Sequence, residues 1–322
     1  MQSIPLRFEP VLKRTIWGGR KLGDVLGKPL GDHTDYAESW EIVDHGADQS
    51  RVVGGDLTGR TLGELFTEHP QWLLGQHAQT DRFPLLLKYL DCNRVLSVQV
   101  HPDDAYGLKM TEPDLGKTEA WYIVSADPGS LIYAGLKQGV GPKEMRAAVE
   151  EGKTENVLHS FHPDPGDCVF IPAGTVHALG AGLLVCEIQQ SSDTTFRLFD
   201  WNRVNDQGES RPLHIEPSLE VTDYQSGPVR PRRVQADRSG WQTLVDCDKF
   251  VFRSLSIGSE ILGGDNRMHL ITVPAGSATI THQQREYTMT QGQTILLPAA
   301  ISQVEVTPAD QSRVLTMCLP RG

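Results

Sequence analysis

The sequence predicts an all-β fold, two barrel units in tandem with a small helical insertion in the first, and three observations carry this. Short runs rich in β-branched and aromatic residues recur between Gly, Pro and Asp punctuation, as in Ala120-Trp121-Tyr122-Ile123-Val124, Cys168-Val169-Phe170-Ile171 and Leu183-Leu184-Val185-Cys186-Glu187-Ile188. The run Ser97-Val98-Gln99-Val100-His101-Pro102 alternates polar and apolar side chains, which in a strand puts Gln99 and His101 on one face and Val98 and Val100 on the other. Finally, Gly292-Gln293-Thr294-Ile295-Leu296-Leu297-Pro298 copies the spacing of Gly166 to Pro172, and Pro274-Ala275-Gly276-Ser277 echoes Asp127-Pro128-Gly129-Ser130.

Taken in chain order, the opening Met1-Gln2-Ser3-Ile4-Pro5-Leu6-Arg7-Phe8 lacks the basic-then-apolar build of a signal peptide. A short helix is expected over Thr61-Leu62-Gly63-Glu64-Leu65-Phe66, and Asp103 and Asp104 after Pro102 read as helix-capping residues. Pro142 at a first helical position and Gly152 at the end frame a second helix inside an insertion at about 136–160. In Gly166 to His177, the Gly166 turn starts a strand, Pro172 ends it, and Gly174 permits the positive φ that turns His177 back inward. The Pro-rich, basic stretch around Gly227 to Arg233 reads as a linker. The expected division is a catalytic unit at 1–228, a linker at 229–240 and a second unit at 241–322. In the second copy Gly174 corresponds to Ala300 and His177 to Gln303, while Glu119 falls near Arg267, so that unit keeps the turn and loses the ligands.

Bulk properties narrow the function. Thirty Lys and Arg against 41 Asp and Glu give a formal net charge of -11, which disfavours nucleic acid or an anionic membrane as general partners. No segment approaches the roughly 20 apolar residues of a membrane span. The five cysteines, Cys92, Cys168, Cys186, Cys247 and Cys318, contain no CxxC pair, so neither a disulfide framework nor a cysteine zinc knuckle is indicated and a reducing cytoplasm fits.

A strand that carries amide and imidazole on one face and valines on the other needs a use for its polar face. Gln99, His101, Glu119 and His177 supply one amide, two imidazoles and one carboxylate, a set suited to one zinc or another borderline divalent ion with room for substrate oxygens. His159 and His162 are rival donors by spacing, but their Pro- and Asp-rich surroundings favour a solvated role. Trp17 and Trp40 read as packing residues rather than a sugar platform.

These residues carry a resemblance. Gly166 to His177 resembles the second motif of cupins, the jelly-roll β-barrel superfamily. Leu96 to Asp104, Gly116-Lys117-Thr118-Glu119-Ala120-Trp121-Tyr122 and Glu187 to Arg197 together look like class I mannose-6-phosphate isomerase in its short bacterial form. Ile16-Trp17-Gly18-Gly19, Glu38-Ser39-Trp40-Glu41, Phe83 to Lys88, Asp206-Gln207-Gly208 and Leu213-His214 extend the match over roughly residues 7 to 220. The resemblance implies an aldose-ketose isomerase that interconverts mannose 6-phosphate and fructose 6-phosphate, with zinc held by Gln99, His101, Glu119 and His177. It also implies that Lys117 is the family's lysine two residues before the glutamate ligand, a catalytic candidate, and that Asp193 and Arg197 stand at the catalytic mouth, with a sugar phosphate as the small-molecule partner. Thr118 stands where longer members often have proline. Proton transfer between carbons 1 and 2 needs a base and stabilisation of enediolate charge. The two basic groups suit such an anionic substrate. An iron-dependent cupin oxygenase would not need them, and a non-catalytic sugar-binding or regulatory cupin would not need the full ligand set. Oligomeric state is left open.

Overall fold

The computed structural model describes residues 4–204, 208–235 and 237–321, so Asp206 and Gln207 of the family match and Ala236 of the expected linker lie outside the described residues. Strands dominate, as expected. The chain divides into two compact units, one made of residues 1–14, 20–89 and 233–322, the other of 15–19 and 90–232. This corrects the division at 1–228. The cut near 232/233 falls inside the expected linker, but most of the first ninety residues join the C-terminal unit. The cause is strand pairing: Leu6–Glu9 lies antiparallel to Thr294–Leu297, with Leu6 opposite Leu296. Sequence-distant pairing of this kind leaves no local signal.

In the unit containing residues 90–232, a five-stranded antiparallel sheet runs in the order Leu158–Phe161, Ile132–Leu136, His177–Leu179, Val98–Val100, Phe196–Phe199. Its apolar face, with Val98, Val100, Val176, Ala178, Phe196 and Leu198, packs with Met145 and Val149 of helix Pro142–Glu150 and Leu219 of helix Ile215–Val221. Two helices thus take the side of the sheet that must leave water, and the alternate positions are turned to the interior. A second sheet contributes Asp167–Ile171, Glu119–Ala126 and Leu183–Gln190, in that order. The expected helix after Pro142 lies between strands Ile132–Leu136 and Leu158–Phe161. Gly174 has φ +85° and its amide donates to the His101 carbonyl at 2.8 Å, so the turn that a side chain would strain also fixes the backbone at His101.

The other unit pairs Gln242–Asp246, Val251–Leu255, Arg313–Cys318, His269–Ala275, Thr294–Leu297, Leu6–Glu9 and Arg51–Val53 in one sheet, and Glu260–Leu262, Val304–Pro308, Ser277–His282 and Arg285–Thr290 in another. Ile271, Val273, Ile280, Ile295, Leu297 and Val306 belong to its core. Trp40 is buried with Val43 and Leu86, a packing role as read from the sequence. The register refines the internal repeat. Ile171 and Leu297 stand at the same distance from Gly166 and Gly292; Ile171 pairs with Glu119, and Leu297 pairs with His269. The counterpart of Glu119 is therefore His269, not Arg267, because spacing in sequence cannot register the loop before the strand.

Helix Leu62–Glu68 starts at a capping box: Thr61 Oγ1 accepts from the Glu64 amide at 3.1 Å, and the Glu64 carboxylate accepts from the Thr61 amide at 2.9 Å. Thr61→Ala is expected to cost about 1 kcal/mol of stability, measured by urea unfolding. An unchanged midpoint would mean the cap contributes nothing. Asp103 caps the short helix Asp104–Gly107 by accepting from the Tyr106 amide, while Asp104 instead accepts from the Gly116 amide and the Gln190 side chain.

Candidate metal centre

The centre is assembled from two rows of cross-strand neighbours. In the five-stranded sheet, Ala134, His177, Gln99 and Arg197 stand opposite one another on four adjacent strands; in the second sheet Ile171, Glu119 and Gln189 do the same. Directly opposed residues of an antiparallel pair share a face. The alternation read from Gln99 and His101 therefore extends across both sheets.

His101, Glu119 and His177 are the one group of three or more His, Cys, Asp or Glu among the described residues that could hold a metal ion, with donor atoms all within 4.8 Å of one another. Glu119 Oε2 lies 3.5 Å from His101 Nε2, and Glu119 Oε1 lies 3.3 Å from His177 Nε2. Each imidazole has its other nitrogen engaged: His101 Nδ1 donates to the Thr194 carbonyl and His177 Nδ1 to the Thr175 carbonyl, both at 2.9 Å. That arrangement sets the tautomer and leaves both Nε2 lone pairs converging beside the carboxylate. Burial lowers the His177 pKa to about 4, against the opposing hydrogen bond to Thr175, so this imidazole is neutral at pH 7 and can ligate. Trp121 meets the His177 ring edge-on at 5.2 Å and holds its plane.

The Gln99 amide lies 3.2 Å from His177 Nε2, and a half-turn of the amide presents Oε1 to the same point. The donor set, two imidazoles, one carboxylate and one amide, fits a borderline divalent cation. Lys117 stands against it. Its Nζ is 3.0 Å from His101 Nε2, ion-paired with Glu119, and 3.5 Å from Glu187. All these side chains except Gln99 are almost fully buried.

Arg197 is half-buried. Its Nη1 donates to the Pro212 carbonyl at 2.9 Å, and its Nε is buried without a hydrogen-bond partner. Burial, then the nearby Arg211, lowers its pKa. Asp193 is not among the converging donors. It sits exposed in a turn bound through its amide to Asp114 at 3.2 Å, while Ser192 and Thr194 donate their hydroxyls to the same carboxylate. Asp114 thereby secures the turn whose Thr194 carbonyl orients His101. His162 Nδ1 binds the Ser130 carbonyl, and neither His159 nor His162 belongs to the donor group. Two neighbours escaped the sequence reading. Glu187 was visible as an acid in an apolar strand, two residues from Gln189 and on its face; Asp114 carries no local signal.

A family model described as phosphomannose isomerase type I, catalytic domain, matches residues 6–120. Mannose-6-phosphate isomerase ManA of Bacillus subtilis is 37% identical over 309 residues, covering 95% of this chain and 96% of that protein. The Streptococcus mutans mannose-6-phosphate isomerase is 36% identical, covering 92% and 93%. Among solved structures, a mannose 6-phosphate isomerase from Bacillus subtilis superposes with a TM-score of 0.88 at 31% identity, covering 98% of this chain and 99% of that one. A putative mannosephosphate isomerase from Archaeoglobus fulgidus, at 22% identity and TM-score 0.79, shares the fold.

Proposed function

Since the chain belongs to the type I phosphomannose isomerase family, we propose that it interconverts mannose 6-phosphate and fructose 6-phosphate with the aid of one zinc ion. The observation that carries this is the convergence of His101, Glu119 and His177 beside Lys117. His101, Glu119, His177 and Gln99 are the residues that would hold the ion. When bound, zinc supplies Lewis-acid stabilisation for the sugar oxygens that become negative during proton transfer.

The protein's own groups do the rest. Lys117 faces the donors from a buried position, where it can hold or pass a proton at the carbon 1 to carbon 2 bond or neutralise an adjacent oxygen. Glu187, 3.5 Å from its ammonium, orients it. Arg197 shares a row with Gln99 and His177, and its unpartnered Nε is available to an enediolate oxygen or to the phosphate. Asp193, in the turn clamped by Asp114, has a positioning role at the mouth. The C-terminal barrel is read as a degenerate cupin unit that carries no metal. No helix among the described residues is long and apolar enough to cross a membrane, and the five free thiols support a cytoplasmic location.

A coupled assay tests the reading. Zinc-loaded protein is expected to turn over both hexose phosphates, to lose activity in chelator and to recover it on zinc addition. Absence of turnover after metal replenishment would overturn the assignment.

A further inference from the structure

The ring of His101 is held through a carboxylate that it does not touch. Its Nδ1 donates to the Thr194 carbonyl at 2.9 Å, and Thr194 lies in the segment that links strand Leu183–Gln190 of one sheet to strand Phe196–Phe199 of the other. That segment, residues 191–195, pairs with no strand. Its path must therefore be set by side chains. Among the described residues, both other hydrogen bonds of Thr194 lead to Asp114. The Thr194 hydroxyl donates to Asp114 Oδ2 at 3.1 Å, and its amide donates at 3.2 Å to Ser192 Oγ, whose own proton goes to the same carboxylate oxygen at 2.9 Å. The Asp193 amide adds a third donor to Oδ2 at 3.2 Å.

Asp114 is itself braced. Its Oδ1 accepts from the Leu115 amide at 2.8 Å, and its own amide donates to the Gly107 carbonyl at 3.2 Å. A Cβ on Gly107 would stand 2.6 Å from the Asp114 carbonyl oxygen, so glycine lets the two segments meet. Gly107 ends the short helix Asp104–Gly107, which begins three residues after His101. The chain leaves His101, returns through Asp114 and reaches back through the turn to the His101 ring. The start of the turn has separate anchors: Asp104 accepts from the Gln190 side chain at 2.8 Å, and Gln189 Nε2 donates to the Ser192 carbonyl at 2.6 Å. Those bonds stop at residue 192 and leave Thr194 to Asp114.

Hydrogen bonds to a carboxylate are stronger than those between neutral groups, and here three donors share one oxygen. We propose that Asp114 is a positioning residue of the metal centre, which fixes the Thr194 carbonyl and through it the ring plane of His101. Nε2 of His101 faces Lys117 and Glu119 at 3.0 and 3.5 Å and is the nitrogen that would ligate, so Nδ1 is the one left to hold the ring. Without Asp114 the Thr194 carbonyl swings away, the Nδ1–H loses its acceptor and the ring turns its lone pair off the metal position. The inference rests on the metal centre proposed above. His177 is the internal reference, since its Nδ1 donates to the Thr175 carbonyl, outside this clamp.

The test compares full-length wild type, Asp114→Ala and Asp114→Asn in two measurements. One is zinc affinity, by competition with a chromophoric chelator. The other is the Nδ1–H signal of His101 and of His177 in 15N-histidine-labelled, zinc-free protein, assigned by its loss in His101→Gln and His177→Gln and visible while a hydrogen bond protects it from exchange with water. Asp114→Ala is expected to bind zinc about tenfold or more weakly, as for loss of an outer partner of a ligand, and to lose the His101 signal while keeping that of His177. Asp114→Asn, which keeps one acceptor oxygen, is expected to recover part of both. Wild-type zinc affinity in Asp114→Ala, retention of the His101 signal, or joint loss of both histidine signals would overturn the proposal. If Asp114→Ala does not fold, Thr194→Val, which deletes one hydroxyl and keeps the carbonyl, is judged by the same outcomes. Failure of the wild type to bind zinc would instead overturn the metal reading, and the Nδ1–H signals would still decide whether Asp114 orients His101.

Discussion

His177→Ala is expected to strip the protein of retained metal and reduce turnover by more than about a hundredfold, since losing even an outer hydrogen-bond partner of a ligand costs 10–100-fold in affinity or activity. The residue is fully buried, its Nδ1 is committed to Thr175, and its Nε2 lies 3.3 Å from Glu119. Alanine deletes one of the proposed ligands and leaves a hole beside Trp121. Gln303→Ala is the control. It alters the corresponding position of the C-terminal barrel, and metal content there is expected to match wild type. Metal analysis after dialysis, alongside the coupled assay, reads both. Full metal retention by His177→Ala would remove this histidine from the centre.

Arg197→Ala is expected to keep its metal and lose about 10²–10³ in kcat, the range seen when one donor to a developing oxyanion is removed. Arg197 is in register with Gln99 but does not belong to the His-Glu-His donor group, and its Nε has no protein partner to lose. The change therefore falls on charge stabilisation rather than on the ion. If Arg197 meets the phosphate instead, the loss appears as a higher KM with kcat nearly intact. Arg197→Lys is expected to restore only part of the activity, because a point charge does not reproduce the planar fork. Wild-type kcat and KM in Arg197→Ala would exclude it from the reaction.

Much of the centre was legible because strand alternation has a short period. Gln99 and His101 declare a polar face within five residues, and the Gly166–His177 turn aims a histidine at it. Asp114 was invisible because its meaning comes from a turn about eighty residues away, at Ser192 to Thr194. The same physics explains the domain boundary. That Leu6–Glu9 completes a sheet with Thr294–Leu297 is a fact of pairing between distant segments, and neither segment differs in texture from any other strand.

His101 and His177 are both steered by main-chain oxygens, those of Thr194 and Thr175, rather than by carboxylate side chains. Every residue type carries a carbonyl. Position 175 is therefore free to drift through evolution so long as the loop path survives, whereas position 194 also carries the hydroxyl that binds Asp114.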